Sequence, residues 1–250
     1  MTALVRAELL KLRTTRTIYA LLAATVGLTV LGVCITILTA GDAEGTFPLD
    51  TPEGIRNVLA AGWPVSTFVM ILGILSVANE FRHGSVTPTF LVTPHRSRVI
   101  AAKMIALTLV GLVFAGIAAL VTLVVALPWL AAKDLGVSLF DADVIRVPFS
   151  IMLGTTLYGL LGVGVGALIR NQVAAVTIAL VWSFVLEGIL VSFLPEVGKW
   201  LPGGAGTALS GGATPEGDLL PVWGAALILA LYAVAMAGIG SRFVVRRDIT

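Results

Sequence analysis

Few residues in this sequence have the chemistry of a catalytic or ligand-binding site. Glu187 is the one ionisable residue in the middle of a long apolar run. The only two histidines, His83 and His95, share one short polar segment with no cysteine nearby, so no metal site is expected there. Cys34 is the single cysteine and lies in an apolar run, so we expect it to behave as a small apolar side chain.

Glu187 has two interpretations. A carboxylate within a membrane is costly, and such a residue usually faces a cavity or the interior of a helix bundle. It could therefore line a substrate pathway or an interface. Alternatively, it is a structural acid that is protonated or hydrogen-bonded to a neighbouring helix. A proton-coupled carrier usually needs several relay groups, and the sequence has only this one.

The signatures of common enzymes are missing from the sequence. It has no Gly-x-x-x-x-Gly-Lys-Ser/Thr phosphate loop, no His-Glu-x-x-His and no Gly-x-Ser-x-Gly. Its apolar runs contain no aspartate, which excludes intramembrane proteolysis by paired aspartates. We therefore expect no catalytic, cofactor-binding or metal-ligating residues, and no enzymatic activity in this chain.

The composition is that of an integral membrane protein. The 250 residues are 58% apolar and only 12% charged, with a mean hydropathy of +1.02. Soluble domains carry about 25% charged residues. This difference excludes a soluble enzyme, a nucleic-acid-binding protein and a disordered chain.

Gaps between charged residues predict an all-α fold with six membrane-spanning helices in a single transmembrane domain over residues 1–250. The first apolar run is longer than that of a signal peptide, so we expect it to remain as an anchor. The predicted spans are about 18–39, 60–79, 102–127, 148–169, 173–194 and 221–241.

Charges in the connecting segments predict the orientation. Twelve of the sixteen Lys and Arg residues fall on the side that carries both termini, while ten of the fourteen acids fall on the other. Both termini are therefore predicted to be cytoplasmic. Few lysines and many Ala, Val, Gly and Arg residues are typical of high-GC bacteria, so the predicted location is a bacterial cell membrane.

Several shorter segments carry local signals. Residues 1–16 place Val5, Leu9 and Leu12 on one helical face, which predicts an interfacial helix; a plain positive flank is the alternative. Thr51 and Pro52 predict the start of a short outer helix. The Gly-rich segment 195–221 is expected to be mobile, and Trp63 and Trp200 to be interfacial anchors.

The fourth predicted span is rich in glycine and contains Gly162-x-x-x-Gly166. Small residues at this spacing let helix backbones approach closely. We consider packing within the chain, a dimer face and a pathway wall as interpretations of this pair.

The segment between the second and third spans, about residues 80–98, is the most informative. Its two Thr-Pro pairs and Gly84 predict a small stiff element, with Thr93 capping the helix that begins at Pro94. Phe90 and Leu91 offer apolar surface, surrounded by charge. Such a projection suits docking into a groove of another protein; a solvated charged loop is the alternative.

These residues carry a family resemblance. Glu80-x-Arg82-x-Gly84, followed by Thr93-Pro94-x-Arg96 and a later Lys103, resembles the type-two ATP-binding-cassette (ABC) exporter permeases. Pro88 departs from the uninterrupted coupling helix of that family. The resemblance implies an N-terminal elbow helix, six spans and a coupling helix that binds a cytoplasmic ATPase. Its predicted ATPase-coupling residues are Glu80, Arg82, Gly84, Phe90, Leu91, Thr93, Pro94, Arg96 and Arg98.

The sequence thus predicts the permease subunit of an ABC exporter. It would form the substrate pathway as a homodimer or with a paralogous permease, among membrane lipids and without nucleic acid. ATP would bind the partner ATPase, since this chain lacks a phosphate loop. The alternatives are a secondary carrier or channel that uses Glu187, and a non-transporting membrane assembly protein.

Overall fold

The computed structural model describes residues 1–42, 46–82, 96–138, 140–169, 171–211 and 219–246. These residues are mostly helical, with no strand among them. The helices are, in chain order, α1 (Thr2–Thr14), α2 (Arg16–Thr39), α3 (Pro52–Ala60), α4 (Val65–Arg82), α5 (Arg96–Ala132), α6 (Ala142–Leu168), α7 (Gln172–Val181), α8 (Glu187–Phe193), α9 (Pro195–Gly198), α10 (Pro202–Ser210) and α11 (Val222–Arg246).

Six helical segments are long and apolar enough to cross a membrane, which confirms the predicted all-helical fold with six such segments. The segments are 19 to 35 residues long, and a bilayer core requires roughly 20. The segments are Arg16–Thr39, Pro52–Glu80, Arg98–Ala132, Ala142–Leu168, Gln172–Val191 and Val222–Gly240.

Several helices differ in extent from their predicted spans; α6 begins at Ala142 instead of near residue 148, and α11 ends at Arg246 instead of near residue 241. The second span was expected to begin near residue 60, but α4 begins at Val65, because a turn over 61–64 separates it from α3. Pro64 lies in this turn and has no backbone N–H to donate to a continuing helix. The third was expected over 102–127, but α5 continues through Pro128 to Ala132.

The short helix predicted to begin at Thr51 and Pro52 is present as α3. The Thr51 hydroxyl accepts a hydrogen bond from Gly54 N at 3.1 Å and so caps the first turn. Pro52 occupies the first helical position, where its missing N–H costs nothing.

Helix α6 is the centre of the bundle. In its apolar stretch 72% of the residues are buried, against 22% for α2 and 17% for the segment Gln172–Val191. It packs most extensively against α4 on one side and α11 on the other. The outer helices keep large apolar side chains exposed, as expected for surfaces that face lipid.

Glycines let α4 and α6 approach within backbone contact. A Cβ at Gly162 would overlap Met70 O, and one at Gly166 would come within 2.6 Å of Ile74 O. Gly73 faces Gly159 O in the same way from the α4 side. The structure thus places the Gly162-x-x-x-Gly166 pair in a contact within the chain.

Helix α1 lies against the bundle. Leu12 is buried in a cluster with Leu72 of α4 and Leu107 of α5, and Leu9 packs against that cluster. The apolar stripe predicted for residues 1–16 therefore contacts protein along this part of the helix.

Candidate functional site

Four charged side chains meet where α1, α4 and α5 converge. Lys103 Nζ donates to Glu8 Oε2 at 2.6 Å, to Glu80 Oε1 at 2.8 Å and to the Ser76 carbonyl at 3.0 Å. Lys11 Nζ donates to Glu8 Oε1 and to Glu80 Oε1, each at 2.7 Å. We call Glu8, Lys11, Glu80 and Lys103 the charge cluster.

Each helix supplies its members for a local reason. Glu8 and Lys11 are three residues apart on α1, so both project from the same face as buried Leu12. Glu80 lies in the last turn of α4, and Lys103 lies two turns into α5. The charge cluster therefore joins the N-terminal helix to both helices that flank residues 83–95.

Because the charge cluster is largely buried, each of its charged side chains depends on the others for compensation of its charge. Lys103 is only 3% exposed and Glu8 6%, and the two acids balance the two bases. Removing one partner of a buried ion pair leaves an uncompensated charge in a poorly solvated site. Burial by itself lowers the pKa of Lys11, but hydrogen bonds and charge from Glu8 and Glu80 outweigh it and hold that pKa above its usual value.

Some of the predicted ATPase-coupling residues belong to the described part of the chain and the others do not. Glu80 joins the charge cluster, and Arg98 is exposed on the first turn of α5. Arg82 ends α4 and Arg96 begins α5. The other predicted coupling residues lie outside the described residues: Gly84, Phe90, Leu91, Thr93 and Pro94.

Sequence reasoning missed Glu8 altogether and interpreted Lys11 only as a membrane-facing charge. The signal was present, because Glu8 is the only acid before Asp42 in a strongly basic N-terminal region. An isolated acid among bases, in line with buried apolar positions, indicates a specific partner. Which partner it would find could not be read from local spacing.

The second candidate site surrounds Glu187. The helix over Gln172–Phe193, expected to be continuous, contains a π-helical turn over Trp182–Leu186, in which Glu187 N–H donates to Trp182 O, five residues back. Such turns are frequent at functional sites. The Trp182 indole N–H donates to Glu187 Oε1 at 2.5 Å.

The other carboxylate oxygen of Glu187 is buried without a hydrogen-bond partner among the described residues. The side chain is 2% exposed, and Oε2 lies against Gly203, where a Cβ would overlap it. The sequence had left Glu187 between a pathway residue and a satisfied structural acid; the structure gives it one satisfied oxygen and one unsatisfied oxygen.

Gly203 belongs to α10, which corrects the expectation that the Gly-rich segment 195–221 is mobile throughout. Helix α10 is inserted into the bundle, with Ala205 and Leu209 fully buried. The Tyr158 hydroxyl donates to Pro202 O at 2.8 Å and fixes its first turn. A Cβ at Gly206 would come within 2.5 Å of that hydroxyl, so glycine permits the insertion.

Trp63 contacts Tyr158 of α6. Its ring packs edge-to-face on Tyr158, with centroids 5.6 Å apart and planes at 89°, inside the bundle. The partly buried Trp63 side chain also lies against Gly206 of α10. Trp200 is 53% exposed, as an interfacial side chain can be.

Glu187 lines two cavities. One has a volume of about 400 Å³ and is lined by polar and aromatic groups that include Trp63, Tyr158 and Lys199. The other has a volume of about 290 Å³ and a lining that is almost wholly apolar, including Met70 and Tyr232. Among the described residues, Glu187 and Ser183 are the two that line both cavities.

Comparison with known proteins assigns no family. No family model matches this chain, and no curated protein matches it. Among the described residues, no group of three or more His, Cys, Asp or Glu side chains could hold a metal ion.

The two sites differ in the chemistry that they can perform. The charge cluster is internally paired, although Glu8, Lys11 and Glu80 also line a cavity of about 340 Å³. The Glu187 site holds a buried acid, with one oxygen that lacks a hydrogen-bond partner among the described residues, in a lining shared by two cavities. Such a combination of apolar cavity and few convergent polar groups is typical of small-molecule sites.

Proposed function

We propose that this chain is the permease subunit of an ABC exporter in a bacterial cell membrane. Two copies, or this chain and a paralogous permease, form the substrate pathway. A separate cytoplasmic ATPase binds the segment over residues 83–95 and supplies the energy. The proposal places that segment and both termini on the cytoplasmic side.

The charge cluster is the observation that carries the proposal. A coupling element must pass a displacement from a docked ATPase into several helices at once. Glu80 and Lys103 lie on the two helices that flank residues 83–95, and Glu8 and Lys11 connect both to α1. A push on this segment therefore moves α1, α4 and α5 together.

Close packing carries the movement further. The backbones of α4 and α6 are in direct contact at Gly162 and Gly166, with no space for even a methyl group. Close-packed interiors of this kind transmit displacements. Helix α6 in turn contacts α11 at Gly164. Nucleotide-driven closure of the ATPase pair would thus reach the bundle centre and the cavities beside Glu187.

The deciding experiment is co-purification and reconstitution. The chain is expressed together with an ATPase encoded beside its gene, purified in mild detergent and placed in sealed vesicles. A stable complex with ATP-dependent transport supports the proposal. Transport by the permease alone, or no association with the ATPase, contradicts it.

A secondary carrier is the second candidate, and the buried, partly unsatisfied Glu187 favours it. A carrier would move its substrate in the same vesicles on an imposed proton gradient without ATP. The Glu187→Gln variant would abolish that flux. ATP-dependent transport that is indifferent to the proton gradient would exclude the carrier.

A further inference from the structure

Glu187 has no cationic partner near its carboxylate. The charged residues that line the larger cavity, within the described part of the chain, are Glu187, Glu196 and Lys199. Lys199 Nζ pairs with Glu196 Oε2 at 2.5 Å, and that carboxylate is 88% exposed. In the smaller cavity, Glu187 is the only charged residue of the described lining. The two cavities together therefore carry an uncompensated acid.

An isolated carboxylate in a poorly solvated site attracts whatever cation can reach it. Burying such a group is unfavourable unless a proton or an opposite charge compensates it. Trp182 already satisfies Oε1 by a neutral hydrogen bond, which leaves the negative charge in place. A cation held in the adjoining volume would provide the compensation that the chain itself lacks.

The larger cavity also presents aromatic side chains. Trp63, Tyr158 and Phe184 line it together with Glu187. Organic ammonium groups are recognised by the faces of aromatic rings, especially where water is scarce. Hydroxyl groups such as those of Ser66 and Thr207 also line this cavity, but no group of three His, Cys, Asp or Glu side chains that could hold a metal ion lies among the described residues. A single buried carboxylate beside several rings therefore favours an organic cation.

The smaller cavity determines the rest of the ligand. Its lining is apolar, with Met70, Leu161 and Met236 among its side chains, and it shares the lining residues Glu187 and Ser183 with the larger cavity. A molecule that fills both must be charged at one end and apolar at the other. The volumes of about 400 Å³ and 290 Å³ suit an amphiphilic small molecule.

We propose that the two cavities bind an amphiphilic organic cation, with its ammonium group beside Glu187 and its apolar body in the smaller cavity. Describing this ligand as cargo rests on the proposed exporter function. Binding itself does not depend on it.

The test uses the full chain in lipid nanodiscs without ATP or an ATPase. The probe is a radiolabelled naphthyl-hexyl-trimethylammonium ion, and empty nanodiscs correct for partition into lipid. A matched neutral compound carries a tert-butyl group in place of the trimethylammonium. We expect the wild-type chain to bind the cation at least about tenfold more tightly than the neutral compound, since charged contacts are stronger in poorly solvated sites.

Two variants separate the buried acid from the exposed one. Glu187→Gln keeps the shape and the hydrogen bond from Trp182, and we expect it to weaken cation binding at least about tenfold. Asp50→Asn removes an exposed acid that lines neither cavity, and we expect a change within about twofold. Equal binding of the cation to wild type and Glu187→Gln would overturn the proposal.

The comparison of the two probes on the wild-type chain tests cation binding even if Glu187→Gln fails to fold. Equal affinity of the wild-type chain for the cation and its neutral analogue would overturn the proposal by itself. If the wild-type chain prefers the cation but no ATPase associates with it, the binding site is supported and the exporter function is contradicted. If the ATPase complex forms but the cation preference is absent, the reverse is true.

Discussion

Lys103 and Glu8 are 95 residues apart in the sequence and form a 2.6 Å ion pair inside the protein. The pair fixes α1 against α5 at a point where Glu80 adds α4 to the same contact. The N-terminal helix is therefore a structural part of the bundle. Its position depends on charge as well as on the burial of Leu12.

Replacing Lys103 with Met should destabilise the protein strongly. Lys103→Met leaves the buried Glu8 carboxylate and the partly buried Glu80 carboxylate with only the half-exposed Lys11 as a basic partner. Breaking a buried ion pair in this way typically costs about 3–5 kcal/mol. Thermal unfolding in detergent, followed by size-exclusion chromatography, measures the loss.

Lys11→Met is the matched control for that variant. The Lys11 side chain is 46% exposed, so solvent screens its interactions and we expect a loss below about 1 kcal/mol. Equal losses for the two variants would show that burial does not set the strength of the charge cluster.

Adding a methyl group at Gly162 should force α4 and α6 apart. The new Cβ of Gly162→Ala would overlap the Met70 carbonyl, which is backbone and cannot rotate away. We expect a markedly lower melting temperature. Gly116→Ala is the control, because nothing lies within 4 Å of its Cβ, and alanine there should be neutral or stabilising by up to about 1 kcal/mol. The same shift for both would contradict the packing argument.

The membrane-spanning framework could be read from the sequence because it depends on composition alone. Stretches such as 17–41 and 104–132 contain no charged residue, and hydrocarbon enforces helix on each of them. The start of α3 was equally readable, since Thr51 caps it through a contact three residues away.

The candidate sites were less predictable because they depend on distant contacts. Glycine disfavours helix, so Gly203, Gly204 and Gly206 suggested a loop. In the protein the absence of side chains lets α10 fit against Tyr158 and Glu187, and this packing overrides the local preference. The π-helical turn before Glu187 has no signal in local spacing.

Cysteine labelling should test the predicted orientation. In a Cys34→Ser background, single cysteines at Glu44, Asp141 and Thr214 should react with a membrane-impermeant reagent in intact cells. Cysteines at Thr2 and Thr250 should react only after the membrane is opened. Labelling of either terminal position in sealed cells would contradict the six-span orientation.

The last prediction concerns the docking of the ATPase at residues 83–95. Phe90→Ala should leave membrane insertion intact but release the ATPase or uncouple ATP hydrolysis from transport. Aromatic side chains seated in partner pockets dominate interface energies, and their truncation often costs about 2 kcal/mol or more. Arg82→Glu, at the end of α4, should act similarly, since screening beyond about 8 Å confines its effect to close contacts.

Phe140→Ala provides the matched control for Phe90→Ala. Phe140 is 90% exposed and lies on the predicted outer side, so its truncation removes the same side chain from the end opposite the ATPase. We expect this variant to keep the full complex and coupled activity. Co-purification and substrate-stimulated ATP hydrolysis in reconstituted vesicles measure both properties. If Phe90→Ala and Arg82→Glu both match the Phe140→Ala control, the ATPase docks elsewhere, because a surface that tolerates loss of its aromatic anchor and reversal of its flanking charge is not the interface.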